Sequence, residues 1–212
     1  MIIHQLPVGP LEANCYIVGD EKTKEAIIID PGHPDPVILE KLKNEGWNLQ
    51  GIWLTHGHFD HISGIALLKQ EFNIPVWVHR IENEYLEDPD LNLSANFLSQ
   101  PIHYTGDYFL EEGMTVSVGS YTFQALHIPG HSAGSICYYE PNEKILFSGD
   151  VLFRGSIGRS DLPKGDFVSL MTNIKEKLLV LPEETKVYSG HGPSTTIGYE
   201  KNYNSYLSDD WG

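Results

Sequence analysis

Short apolar β-runs alternate with amphipathic helical stretches along this chain. Residues 2–8, 13–18 and 26–29 read as strands, and the third closes on the turn signal Asp30-Pro31-Gly32. Residues 35–45 set Val37, Ile38 and Leu42 at helical spacing, with Gly46 as the stop. A strand over residues 51–54 enters a polar stretch, and Ile62, Ile65, Ala66 and Leu68 predict a helix over 62–72. Residues 76–78 form a short strand. Residues 80–112 are the least regular part, with Pro89, Asn92, Pro101, Gly106 and scattered aromatics. They read either as an insertion that walls a pocket or as a packed surface excursion. Strands follow at 114–118, 121–127, 134–139 and 144–148, then a glycine-rich loop at 154–165. Phe167, Leu170, Met171, Ile174, Leu178 and Leu179 predict a helix over 166–180, and a last strand spans 185–188. Tyr199, Tyr203, Tyr206 and Leu207 keep helical spacing ahead of an acidic end, Asp209-Asp210. Each half thus reads as strands followed by helices. That order predicts sheet layers covered by helices and permits a duplicated αβ/βα sandwich.

Composition narrows the class. A chain of 212 residues suits one domain with a sizeable core. Its 29 acidic against 14 basic residues give a net charge of -15, the wrong sign for gripping a phosphate backbone. Cys15 and Cys137 lie inside apolar runs and read as buried thiols, with no disulfide framework. The first residues, Met1-Ile2-Ile3-His4-Gln5-Leu6, lack the basic and apolar regions of a signal peptide, and no apolar run reaches membrane length. The expected compartment is the cytoplasm.

The chemistry concentrates in Leu54-Thr55-His56-Gly57-His58-Phe59-Asp60-His61. Imidazole and carboxylate suit zinc, iron or manganese. In extended backbone, residues two apart point the same way, so His56 and His58 can converge on one ion. Asp60 and His61 fall where the chain turns helical and point elsewhere, toward a second ion. Three later residues repeat a theme. His131, Asp150 and His191 each follow a β-run and a glycine. Ligands placed after strand ends can meet in one cleft held rigid by the sheets.

These seven residues carry a resemblance. Thr55 to His61 stands as T-H-x-H-x-D-H. Pro129-Gly130-His131-Ser132, Gly149-Asp150 and Gly190-His191 are similar to the later signatures of the metallo-β-lactamase-fold hydrolases. Asn14-Cys15-Tyr16 and Ile29-Asp30-Pro31-Gly32 resemble that family's opening strands. The loop Gly155 to Pro163 resembles the small glyoxalase II-like (hydroxyacylglutathione hydrolase-like) subgroup. The resemblance implies an α/β fold, the four-layer αβ/βα sandwich, as one domain over residues 1–212. It implies His56, His58 and His131 on one divalent ion, Asp60, His61 and His191 on a second, and Asp150 bridging both. Zinc is the first candidate, with iron or manganese as alternatives. His4, His33, His79, His103 and His127 match no ligand position. Asp30 reads either as a carboxylate that orients a ligand or as a turn residue.

The implied activity is hydrolysis of a small-molecule thioester. A metal-bridging hydroxide is the expected nucleophile, since zinc lowers the pKa of bound water to about 7. Asp60, beside the water, and the bridging Asp150 are the expected catalytic carboxylates. Arg159 reads either as a cation for a substrate anion or as the partner of Asp161 in a stiffened loop. Larger glyoxalase II enzymes continue into a helical domain that grips glutathione. Here about twenty residues follow His191, so the expectation is no such domain. A rival resemblance, to the iron-dependent persulfide dioxygenases, rests on Gly158-Arg159-Ser160-Asp161. That family uses one iron on two histidines and an aspartate, whereas Asp60, His61 and His191 are all retained here. A nucleic-acid-processing member of the superfamily is disfavoured by the charge.

Overall fold

The computed structural model describes residues 1–207; the acidic pair Asp209-Asp210 lies outside the described residues. One six-stranded sheet holds β1 (Ile2–Val8), β2 (Ala13–Gly19), β3 (Glu25–Ile29), β4 (Asn48–Trp53), β5 (Val76–His79) and β6 (Tyr108–Leu110) in that order. The first three pair antiparallel, and β3 to β6 pair parallel. The second sheet uses β7 (Thr115–Val118), β8 (Tyr121–His127), β9 (Ile136–Glu140) and β10 (Ile145–Gly149). A small hairpin follows, β11 (Leu152–Phe153) with β12 (Ser156–Ile157). Then β13 (Lys186–Ser189) and β14 (Thr195–Thr196) complete the second sheet in the order β14-β13-β10-β9-β8-β7.

Side-chain alternation makes the layers. Every residue of β2 is buried. Cys15 and Ile17 pack with Ile38, Leu42, Ile62, Ile65 and Leu68 on the helical side, while Tyr16 and Val18 face the other sheet. Between the sheets, Trp53, Phe123, Tyr138 and Phe147 form an aromatic core, with Trp53 and Phe123 edge to face at 5.5 Å. On the far side, Leu170, Ile174, Leu178 and Ile197 cover the second sheet. The result is the expected four-layer sandwich. Among the described residues no helix is long and apolar enough to cross a membrane.

Helix α1 (Pro36–Glu45) follows its sequence signals. Asp35 accepts from Val37 N, Pro36 opens the first turn, and Gly46 closes it at φ 67°. The helix expected over 62–72 is instead two, α2 (Phe59–Ile62) and α3 (Ile65–Glu71). Gly64 explains the break. A β-carbon there would lie 2.6 Å from His33 O and 2.7 Å from Pro31 O, and Gly64 N donates to Pro31 O. The loop after β3 therefore presses on the chain just past the histidine stretch. Residues 80–112 contribute α4 (Asn83–Glu87), α5 (Ser94–Phe97) and β6. The helix expected over 166–180 is α6 (Phe167–Asn173) running into a π-helical turn at Ile174–Leu178, and α7 (Ile197–Tyr203) follows β14.

Candidate metal centre

The seven sequence-selected residues meet at one end of the sandwich. His56, His58 and His131 bring ligand atoms within 4.8 Å of one another, and so do Asp60, His61 and His191. Asp150 sits between the sets. Its Oδ2 lies 3.7 Å from His131 Nε2 and 3.6 Å from His191 Nε2, and its Oδ1 lies 3.4 Å from His61 Nε2. His58 Nδ1 and His131 Nε2 face each other at 3.0 Å. Tetrahedral nitrogens about 2.0–2.1 Å from one zinc would be about 3.3 Å apart, so the spacing suits a shared ion.

Three polar atoms of the centre are buried with no hydrogen-bond partner and are free to face an ion: His56 Nε2, His61 Nε2 and Asp150 Oδ1. Such atoms are costly to leave unpaired, and an ion would satisfy them. The donor set and the orphaned atoms therefore fit two divalent ions.

The opposite ring nitrogens are tied down. His131 Nδ1 donates to Arg159 O at 2.8 Å, and His191 Nδ1 to Leu11 O at 3.1 Å. Both rings thereby turn Nε2 inward. Asp30 does this for one histidine of each set. Its Oδ2 accepts from His61 Nδ1 at 3.0 Å and from Thr55 Oγ1, which in turn accepts from His56 Nδ1. Its Oδ1 takes Thr55 N at 2.8 Å. Asp30 holds a φ of 50°, strained for a non-glycine residue, and the strain sets its carboxylate under both rings. Gly190 is required for packing, since a β-carbon there would stand 2.0 Å from Asp150 Oδ1.

Burial pushes His58 down to about 3 and holds His56 and His131 below the ordinary histidine range, so all three are neutral at neutral pH, the form in which imidazole could bind a metal. Burial also works against charge on His61 and His191. There the carboxylates of Asp150 and Asp60 outweigh it and raise both. Burial would raise Asp150, but His61 beside it holds it well below the carboxylate range. To hold an ion, His61 and His191 would have to be in the neutral form, so binding there would weaken as pH falls.

The early motif Asn14-Cys15-Tyr16 has a structural role here. Asn14 Nδ2 donates to Ser189 O and Gly192 O, Tyr16 OH to Ser189 O, and Asn14 N to Gly190 O. These bonds fix the turn that presents His191.

Two residues that the motifs did not single out tie the other ligand loops together. Glu82 is fully buried and accepts from Gly57 N and Gly134 N, both at 2.7 Å. Tyr85 OH accepts from Ala133 N and donates to Pro163 O. The helical spacing of Glu82, Tyr85 and Leu86 was the available signal, since it puts the acid on the face that packs inward.

The centre opens into a cavity of about 780 Å³ walled by Leu11, Phe59, Leu93, Phe97, Phe153 and Leu162. Leu93 and Phe97 come from residues 80–112, so that segment does wall a pocket. Arg159 reaches the wall, but its guanidinium is held fork to fork by Asp161 at 2.7 and 2.8 Å. Of the two expectations for Arg159, the ion pair is the contact present.

The family described as the metallo-beta-lactamase superfamily matches residues 8–191. The chain is 35% identical over 210 residues to the hydroxyacylglutathione hydrolase GloC of Haemophilus influenzae, covering 98% of this chain and 99% of that protein. It is similar to the solved BLEG-1 B3 metallo-β-lactamase, with 44% identity, a TM-score of 0.92, and coverage of 98% of this chain and 100% of that one. It is also similar to TTHA1623, solved in a di-iron-bound form, with 40% identity, a TM-score of 0.86, and coverage of 96% and 100%. The family match runs from the opening strand to the last histidine, and the site's donor set suits divalent ions: this chain is a metallo-hydrolase that belongs to the metallo-β-lactamase superfamily.

Proposed function

We propose that this chain belongs to the small glyoxalase II-like subgroup and hydrolyses thioesters that join a short hydroxyacyl group to a small thiol. The observation that carries the reading is the pair of three-residue ligand sets meeting at Asp150 on the floor of one cavity. The similarity to GloC along nearly the whole of both chains supports it. When bound, two divalent ions, zinc first among them, supply ionised water at neutral pH and a Lewis acid for the acyl oxygen.

The chain's own residues supply position and an apolar wall. Asp60 Oδ2, 3.3 Å from His191 Nε2, faces the cavity and orients the attacking water. Asp150 keeps the two sets in register. Leu11, Phe97, Phe153 and Leu162 offer the acyl group an apolar wall. Among the described residues the cavity wall holds no Lys, Tyr or Cys, so it offers few proton donors beyond the metal-type residues. A thiolate leaves without protonation, whereas the amine expelled from a lactam needs a proton. That difference favours thioesters over β-lactams. The substrate is a small molecule, and the expected compartment is the cytoplasm.

The test assays purified, metal-loaded protein on S-lactoylglutathione, a chromogenic β-lactam, RNA, and glutathione persulfide with an oxygen electrode, alongside metal analysis. The expected outcome is thioester hydrolysis with two ions per chain and little activity on β-lactam or RNA. Persulfide-dependent oxygen uptake without thioesterase activity replaces this reading with the one-iron dioxygenase. β-Lactam turnover exceeding thioester turnover would set it aside in favour of the activity named for BLEG-1.

A further inference from the structure

We propose that Arg154 is the anion anchor of the cavity, holding a carboxylate or phosphate on the thiol half of the substrate. The inference rests on the thioester reading for its place in the reaction. Two cations, Arg154 and Arg159, line the cavity. Arg159 is neutralised by Asp161. Arg154 has no acidic partner among the described residues, although acids outnumber bases 29 to 14 in the chain. On such a surface an unpaired guanidinium beside a substrate cavity is the exception, and its five donors are free for a bidentate oxyanion.

The residue is also held in place. Its guanidinium lies over the Tyr199 ring, 5.1 Å from the centroid. The next residue, Gly155, takes a φ of 70° and donates its N–H to Glu200 Oε2 at 2.9 Å. Glu200 is fully buried and is itself fixed by Thr195 Oγ1 at 2.5 Å and Asn204 Nδ2 at 2.7 Å. Helix α7 therefore braces both the turn and the side chain of Arg154. Arg154 further lines a second, polar depression of about 390 Å³ with Ser194, Thr196 and Tyr199. It stands where the two hollows meet, so a carrier longer than the acyl group would cross it.

The first arm of the test is kinetic. Arg154→Ala should raise KM for S-lactoylglutathione about tenfold, the lower end for a charged hydrogen bond at an exposed site, with kcat changed far less. The penalty should shrink with added salt. The lactoyl thioester of N-acetylcysteamine, which carries no anion, should show no penalty, and Arg154→Lys should recover only part of the loss. The second arm needs no turnover. Calorimetry compares binding of S-methylglutathione and of coenzyme A to the metal-loaded wild type and to Arg154→Glu. A tenfold or larger loss for either probe supports the anchor, and the probe affected identifies carboxylate or phosphate. Equal affinities in both proteins, or no binding of either probe to the wild type, overturn it even if thioesters are hydrolysed. A binding difference without any thioesterase activity keeps the anchor and removes the reaction assigned to it.

Discussion

Glu82 offers the sharpest test of how the site is held. Its two oxygens receive Gly57 N, between His56 and His58, and Gly134 N, three residues past His131. In Glu82→Gln one oxygen stays an acceptor while the other position becomes an amide NH₂ facing a backbone N–H. Near pH 5 one hydrogen bond to a buried oxygen acceptor is lost, since an amide nitrogen cannot accept, worth about 2 kcal/mol. For a chain of this size that is a fall of about 4–8 °C in Tm. Slack in both loops falls on the first ion's set, so its affinity should drop about ten- to a hundred-fold. The second set, oriented by Asp30, should keep its ion. Competition with a chelating dye, read as two separate steps, measures this. An unchanged first step, or equal loss of both ions, refutes the reasoning.

The same residue sets a pH dependence. Burial pushes the Glu82 carboxyl from an ordinary 4.5 up to about 7, outweighing the two N–H donors and Ser132. A carboxyl with a raised folded pKa holds its proton longer in the folded state. Its contribution to stability is therefore full below about 4.5 and is lost as pH rises through about 7. The loss is of order 3 kcal/mol, which exceeds the hydrogen bond that glutamine forfeits. Glutamine does not titrate. The Tm gap between wild type and Glu82→Gln should be widest near pH 5 and close or reverse by pH 8. Titration of the histidine ligands affects both proteins and cancels in the difference. A gap that widens toward pH 8 would show that the carboxylate is held charged throughout.

Two further outcomes follow from the geometry. Asp150→Ala removes the group between the two sets, so metal content should fall and activity should drop by several orders of magnitude, whereas His127→Ala, whose ring meets Ala133 O and His79, should leave the metal stoichiometry unchanged on elemental analysis. Asn14→Ala removes two hydrogen bonds to the His191 turn, whose carbonyls keep only Tyr16 OH and Gln5 Nε2 of their side-chain donors, at a cost of about 1–3 kcal/mol, and should empty the second ion's set first under chelator titration while the first stays filled.

Much of the site was legible because its signals are local. Four ligand-type residues within Thr55–His61, and a glycine ahead of each of His131, Asp150 and His191, need no tertiary information. The strands were legible from apolar runs for the same reason. What stayed hidden depends on contacts distant in sequence. The break at Gly64 is imposed by carbonyls of Pro31 and His33. Glu82 is one of several acids in an irregular stretch, with Glu84, Glu87 and Asp88 close by, and its partners lie 25 and 52 residues away. Arg159 stood out by its Gly-Arg-Ser-Asp setting, but which arginine is free depends on Asp161 beside one and on Tyr199, 45 positions beyond the other.

The placement of the ligands has a mechanical consequence. The segment after β4 in the first sheet supplies His56, His58, Asp60 and His61, while the ends of β8, β10 and β13 in the second lead to His131, Asp150 and His191. Each proposed ligand set thus draws from both sheets, and its geometry depends on their spacing. That spacing is set without metal. Ile136 N donates to Thr55 O at 2.9 Å, and Tyr138 OH donates to Leu54 O at 2.8 Å, crossing from the second sheet to the residues just before His56. Trp53 packs against Phe123 and Tyr138 directly beneath. A one-ångström shift between the sheets would have to break these bonds and disturb a close-packed aromatic core, whose interdigitation resists sliding. The rigidity that positions the ligands comes from the inter-sheet core, and the fine aim of each ring comes from Asp30, Glu82 and Asn14.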